Sequence, residues 1–161
     1  MTPQTRTTLL RLGAKPVIAA LAKHGLRNRS ATRLPSDDPF AGDACLTLET
    51  VRAGSVLIAA TVPPPMRERL MRRGLAGIVT PRELRGVPVQ PGDAILRDRT
   101  TLVVLPAALA ERIVEEADTA AAFEEFTADQ VAQGGGVYGL HIPSGERAKQ
   151  AFAQWRRIKG K

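Results

Sequence analysis

Gly54-Ser55-Val56-Leu57-Ile58-Ala59-Ala60 and Leu75-Ala76-Gly77-Ile78-Val79-Thr80 are short apolar runs rich in branched residues. Each reads as a strand buried on both faces. Between them Pro63-Pro64-Pro65 breaks the chain, and Met66 to Arg73 resumes as a helix stopped by Gly74. A connection of that length suits parallel neighbours, so the stretch predicts a strand–helix–strand unit in a partly parallel sheet.

Downstream, Val87-Pro88-Val89 leads into Pro91-Gly92-Asp93, a strong turn signal. Ala94-Ile95-Leu96 and Leu102-Val103-Val104-Leu105 flank the polar Arg97-Asp98-Arg99-Thr100 and predict a hairpin. From Pro106 a long helix runs to about Gln133, with Leu109, Ile113 and Ala117 on its early apolar face and Gly134-Gly135-Gly136 ending it. Ser144 is placed to cap a last helix carrying Ala148, Phe152 and Trp155 on one face. Upstream, Cys45 to Glu49 alternates as a strand does, and the polar Leu26 to Pro39, with Pro35 and Pro39, reads as a loop or an exposed crossing. Thr5 to Leu12 and Pro16 to Lys23 read as two short helices, the second stopped at His24-Gly25. The predicted class is α/β, with strands in the middle and helices at both ends. A single domain over 1–161 is expected, with a basic helical N-terminal arm (1–35) and a C-terminal extension (134–161) ending in a helix.

With 161 residues and 43% hydrophobic content the chain can bury a core and is too apolar to be disordered. It has no run of eighteen apolar residues, and therefore no expected membrane span. Arg6, Arg11, Lys15 and Lys23 interrupt the start, leaving no signal-length apolar region. The lone Cys45 excludes a disulfide framework and suits a reducing compartment. A cytoplasmic location is expected.

The net charge of +7 is unevenly spread. Met1 to Pro35 holds seven basic residues and no acid, whereas Ala107 to Gln133 holds seven acids against Arg112 alone. Such separation suits an acidic helix held against basic neighbours, in the same chain or another subunit. A nucleic-acid partner is not expected, because the few aromatics (Phe40, Phe123, Phe126, Tyr138, Phe152, Trp155) are not interleaved with the basic clusters as stacking platforms would be.

Candidate chemistry is sparse. His24 and His141 lack a second ligand type at metal spacing. Cys45 lies in an apolar strand, where a thiol is inert. The triple glycine follows a helix, whereas a phosphate cradle precedes one. Arg82, Glu83 and Arg85 directly follow the strand ending at Thr80, and ligands of such sheets collect at the carboxyl ends of strands. An arginine there can clamp a carboxylate, although from the residue alone a solvated loop arginine is the favoured reading.

These segments, in order, resemble one family. They are Leu21-Ala22-Lys23-His24-Gly25-Leu26-Arg27-Asn28, Phe40-Ala41-Gly42-Asp43-Ala44, Gly54 to Ile58, Arg73-Gly74-Leu75-Ala76-Gly77-Ile78-Val79-Thr80, Val89-Gln90-Pro91-Gly92-Asp93 and Leu102 to Pro106. Glu124-Glu125-Phe126, the glycine cluster, Tyr138-Gly139 and Ala153-Gln154-Trp155-Arg156 extend the likeness. The chain is similar to the RraA-like family (regulator of ribonuclease activity A), which shares its fold with 4-hydroxy-4-methyl-2-oxoglutarate aldolases. The resemblance implies a swivelling β/β/α domain assembling into trimers or their multiples. It also implies either a magnesium-dependent lyase acting on 2-oxo acids such as oxaloacetate, or a protein-binding inhibitor of ribonuclease E.

The chain departs from the family where that chemistry resides. Arg85 falls on the substrate-binding arginine, but Gly86 takes the place of the metal-binding aspartate and offers no ligand oxygen. Glu83 is a conceivable substitute that is out of register. The Gly-Glu stretch whose amides hold the oxo acid is replaced by Pro63-Pro64-Pro65-Met66-Arg67-Glu68, and proline has no amide hydrogen. A helix and strands that the family carries between Gly86 and Val89 are missing, so the chain reads as shortened with a reduced central sheet. A non-catalytic scaffold or regulatory subunit is expected, with no catalytic or metal residue and Arg85 as the single candidate substrate contact. Its partner would be another protein or a full-length relative, in a homo- or hetero-oligomer. The alternative is a lyase whose site another residue or subunit completes, with Mg2+ as its only cofactor.

Overall fold

The computed structural model describes residues 1–32, 38–134 and 146–160. Their strands form one sheet in the order β1-β6-β5-β2-β3-β4. The strands are β1 (Ser30–Thr32), β2 (Phe40–Cys45), β3 (Ser55–Ile58), β4 (Gly77–Val79), β5 (Ala94–Arg97) and β6 (Thr101–Leu105). The β2/β3 and β3/β4 pairs are parallel, with Leu57 opposite Ile78. The helix between β3 and β4 is α3 (Pro64–Arg72), as the strand–helix–strand reading expects. β5 and β6 form the expected antiparallel hairpin, with Ile95 opposite Val104.

Two strands differ from the sequence reading. The central strand β2 is Phe40–Cys45, whereas Cys45 to Glu49 leaves the sheet through a 3-10 turn at Leu48–Thr50. Leu46 and Leu48 alternate as strand residues would, yet both are exposed. What fixes β2 is close backbone approach: a Cβ on Gly42 would lie 2.1 Å from the Gly54 carbonyl oxygen. The region expected to be a loop or an exposed crossing holds β1, which pairs antiparallel with β6 at the sheet edge. Three half-polar residues carry no period of their own, so that strand exists through its partner.

The helices are α1 (Pro3–Leu12), α2 (Ala14–Lys23), the one-turn α4 (Pro81–Leu84), α5 (Ala110–Ala132) and α6 (Glu146–Lys159), besides α3. Leu9, Val17, Ala20 and Leu21 pack with Ile113, Val114 and Ala117 of α5 against Ala41, Ala94, Leu96, Val103 and Leu105 of the sheet. The two helices of the basic N-terminal stretch form a core layer over its described residues, because their apolar residues fill that cluster. Cys45 and Leu57, on the same side of the sheet as Ala41, meet Leu70 of α3. Phe40, Val56, Val79, Ile95, Leu102 and Val104 line the other side, closed by Leu84 and flanked by Val87 and Val89. Among the described residues no helix is long and apolar enough to cross a membrane.

The acidic helix finds its basic neighbours within the chain. Arg11 of α1 pairs with Asp118, His24 Nε2 lies 2.9 Å from Glu116, and Lys159 of α6 lies 3.1 Å from Asp129. The triple glycine beyond Gly134, His141, Tyr138 and the Ser144 cap lie outside the described residues.

Candidate functional site

Because β3 and β4 are parallel neighbours, their carboxyl ends open at one edge of the sheet. β3 continues through Ala59–Val62 into α3, and β4 continues into α4. This edge holds the residues singled out from sequence, and it shows what each one does.

The turn after β4 is shaped by Thr80. Its Oγ1 accepts the Glu83 N–H at 3.2 Å, and the Glu83 carboxylate accepts the Thr80 N–H at 2.8 Å. This reciprocal capping box, closed by a further 3.0 Å contact from the Thr80 hydroxyl, commits Glu83 to the helix end. Leu84 then drops into the core, and the Val87 N–H donates to the Leu84 carbonyl at 2.9 Å. The two residues between, Arg85 (φ 50°) and Gly86 (φ 82°), both have left-handed backbone, the feature of I′-class turns. Arg85 is the only such non-glycine among the described residues, and its side chain is exposed.

Beside this turn α3 starts on Pro63, Pro64 and Pro65 without a side-chain cap. Those residues have no amide hydrogen to offer an anion. The arrangement does not fit the magnesium centre that the resemblance implies. Gly86 has no ligand atom, Glu83 is engaged, and the described residues contain no group of three His, Cys, Asp or Glu side chains that could hold a metal. No step through a metal follows from these residues.

The remaining candidates are structural. His24 ends α2 and bonds Glu116 of α5, and that hydrogen bond, followed by one from Arg112, holds the Glu116 carboxyl below its ordinary value. The buried Cys45 thiol contacts the Val56 carbonyl at 3.4 Å, and desolvation pushes its pKa up, which keeps it unreactive. Phe123, Phe126, Phe152 and Trp155 pack on one another between α5 and α6 rather than forming a stacking face.

Sequence reasoning missed two organising carboxylates. Buried Asp93 accepts the amides of Gln90 and Ala107 at 3.0 and 3.1 Å, tying the Pro91-Gly92 turn to the start of the C-terminal helical region. Asp98 accepts the Thr100 and Thr101 amides and, with its other oxygen, the Ala14 amide at 2.9 Å. Thr80-Pro81-Arg82-Glu83 was the one readable signal here, since a Thr followed three residues later by Glu is a capping-box pattern.

The architecture defined by this sheet and its helical layer is the RraA-like α/β fold. The chain is similar to Streptomyces coelicolor RraAS2, described as an unusual member of the RNase ES inhibitor RraA protein family. The identity is 20% and the TM-score 0.60, over 80% of this chain and 97% of that one. An uncharacterized protein from Pseudomonas syringae pv. tomato str. DC3000 matches at 17% identity and TM-score 0.61, over 92% and 98% of the two chains. A structure described under novel cellulases from microbes associated with the gut ecosystem matches at 12% identity and TM-score 0.62, over 78% and 89%. No family model and no curated protein matches the sequence. The first two structures are spanned almost end to end by this chain. Three differently described proteins on one fold mean that function must be argued from the site.

Proposed function

We propose that this chain is a non-catalytic RraA-like scaffold that acts by binding protein, as a homo- or hetero-oligomer with a full-length relative or another partner such as a ribonuclease of the kind RraAS2 relates to. The observation that carries the reading is the carboxyl edge of β3 and β4. There Glu83 caps its own helix, Gly86 supplies no ligand atom, and three prolines stand where amide donors are needed. A single buried thiol is in keeping with the cytoplasm. One observation favours the alternative, a divalent-metal lyase of the oxaloacetate decarboxylase or 4-hydroxy-4-methyl-2-oxoglutarate aldolase type completed by another subunit: the Arg85 guanidinium is exposed at this edge.

Pyruvate release from oxaloacetate and from 4-hydroxy-4-methyl-2-oxoglutarate, with and without magnesium, separates the two. The scaffold reading expects no magnesium-dependent turnover and no change on Arg85→Ala. Turnover that needs magnesium and collapses in Arg85→Ala establishes the lyase. A tagged chain that is monomeric and brings down no protein from its native extract removes the scaffold.

A further inference from the structure

The face of α5 beneath α6 suits a helix, and α6 fills it incompletely. Asp118, Ala122, Phe126 and Asp129 recur at i, i+4, i+8 and i+11, so they form one stripe along α5, with a carboxylate at each end and apolar residues between. α6 answers that stripe with Phe152 and Trp155 on its apolar middle and with Arg156 and Lys159 on its carboxylates. Trp155 Nε1 donates to Asp129 at 2.9 Å, and Lys159 lies 3.1 Å from the same carboxylate. The fit is partial. Arg156 stands 3.9 Å from Asp118, which Arg11 already engages, and its buried Nε has no hydrogen-bond partner among the described residues. A buried donor left unmatched weakens the docked state. Beside Trp155 an open groove of about 370 Å3 is lined by Gln130, Gln133, Gln154 and Ile158, and Ile158 remains 76% exposed.

Resting on the scaffold reading above, we propose that this face of α5 is a docking site for an amphipathic helix of a partner protein. That helix carries aromatic residues at i and i+3 and basic residues at i+4 and i+7, and it displaces α6, which holds the site within the chain. α6 itself defines the chemistry the site selects. Its aromatic pair supplies large contact area at the centre, and its basic residues match the flanking carboxylates. The same carboxylates repel phosphate, which disfavours a nucleic acid as occupant. Tethering gives α6 a high effective concentration, so an incoming helix has to fit better to win. The unfilled groove and the unmatched Arg156 Nε leave room for that better fit. The apolar contact contains no sheet residue, so exchange of one helix for another leaves the sheet core in place.

Fluorescence anisotropy on the full chain tests this, with a labelled synthetic peptide of the α6 sequence, ERAKQAFAQWRRIK, as the probe. Two variants release α6: Phe152→Ala removes its central ring, and R156E/K159E keeps the aromatic cluster but reverses both ion pairs. Each is expected to bind the peptide at least about tenfold more tightly than the wild type, whose own α6 competes. In the isotope-labelled wild type, excess peptide is expected to quicken amide exchange in α6 while β5 and β6 keep their protection. Replacing both aromatics of the peptide by alanine, or Asp129→Lys in the Phe152→Ala chain, is expected to weaken binding by at least about tenfold. Circular dichroism confirms that each variant folds, and R156E/K159E carries the test alone where Phe152→Ala does not. Folded release variants that fail to bind the peptide overturn the proposal. Binding that ignores the aromatic and Asp129 changes, or wild-type binding that leaves α6 exchange unmoved, overturns it too. So do released chains that pair with one another through α6 and exclude the peptide. Magnesium-dependent turnover would remove the scaffold reading and leave the peptide result legible on its own.

Discussion

At the residue scale, space and charge decide what the positions tolerate. A Cβ on Gly42 meets the Gly54 carbonyl at 2.1 Å, and one on Gly77 meets the Phe40 ring at 2.4 Å. The first obstacle is backbone and the second a side chain that is itself buried. Gly42→Ala is therefore expected to cost more than the ~1–3 kcal/mol usual for an overpacked core, and Gly77→Ala to fall within that range. Chemical denaturation of the two variants checks the order. Glu116 makes a different kind of prediction. Its carboxyl is held below the ordinary 4.5 by hydrogen bonds from His24 and then Arg112. Because the folded state favours the ionised form, this stabilisation is complete above the unfolded value and is lost as pH falls through the lowered folded value. Glu116→Gln is thus expected to flatten the acid limb of the stability–pH profile, and the variant and wild type should converge at the acid end. Profiles that stay parallel down to the lowest pH would contradict the linkage.

At the element scale, the joints rest on side chains far away in sequence. α2 begins at Gly13, which has no side chain to cap it, and Asp98 from the β5–β6 turn accepts the Ala14 amide instead. Asp98→Ala removes that cap together with the amide contacts holding its own turn, and the expected loss is about 1–2 kcal/mol. Asp98→Asn keeps an oxygen acceptor and is expected to recover most of it in thermal melts. This joint explains where sequence reading stops. β3, α3, β4 and the β5–β6 hairpin were legible because each carries its own signal: an apolar run, a glycine stop, or a polar turn between strands. β1 and the limits of β2 were not, since pairing with β6 and the Gly42–Gly54 approach set them. At the candidate site, position after a strand pointed to the right edge of the sheet. Geometry alone showed that Glu83 closes a capping box and that Arg85 and Gly86 make a left-handed turn.

At the scale of the whole molecule, the aromatic content is concentrated outside the sheet core. Phe123 and Phe126 of α5 meet Phe152 and Trp155 of α6 in a cluster separate from those that line the sheet. The C-terminal half of α6 is further tied to α5 through Trp155 Nε1 to Asp129 at 2.9 Å and the Lys159 ion pair to the same carboxylate. A cluster with no sheet residue in it can open without the sheet, so α6 is expected to behave as a separate cooperative unit of lower stability. Phe152→Ala deletes the ring that touches Phe123, Phe126 and Trp155, and such truncations cost about 3–5 kcal/mol. That cost should fall on the docking of α6. Amide exchange in α6 is expected to quicken by a hundredfold or more, as about 3 kcal/mol implies, while the amides of β5 and β6 keep their protection. Equal acceleration in helix and sheet would show that the two unfold together.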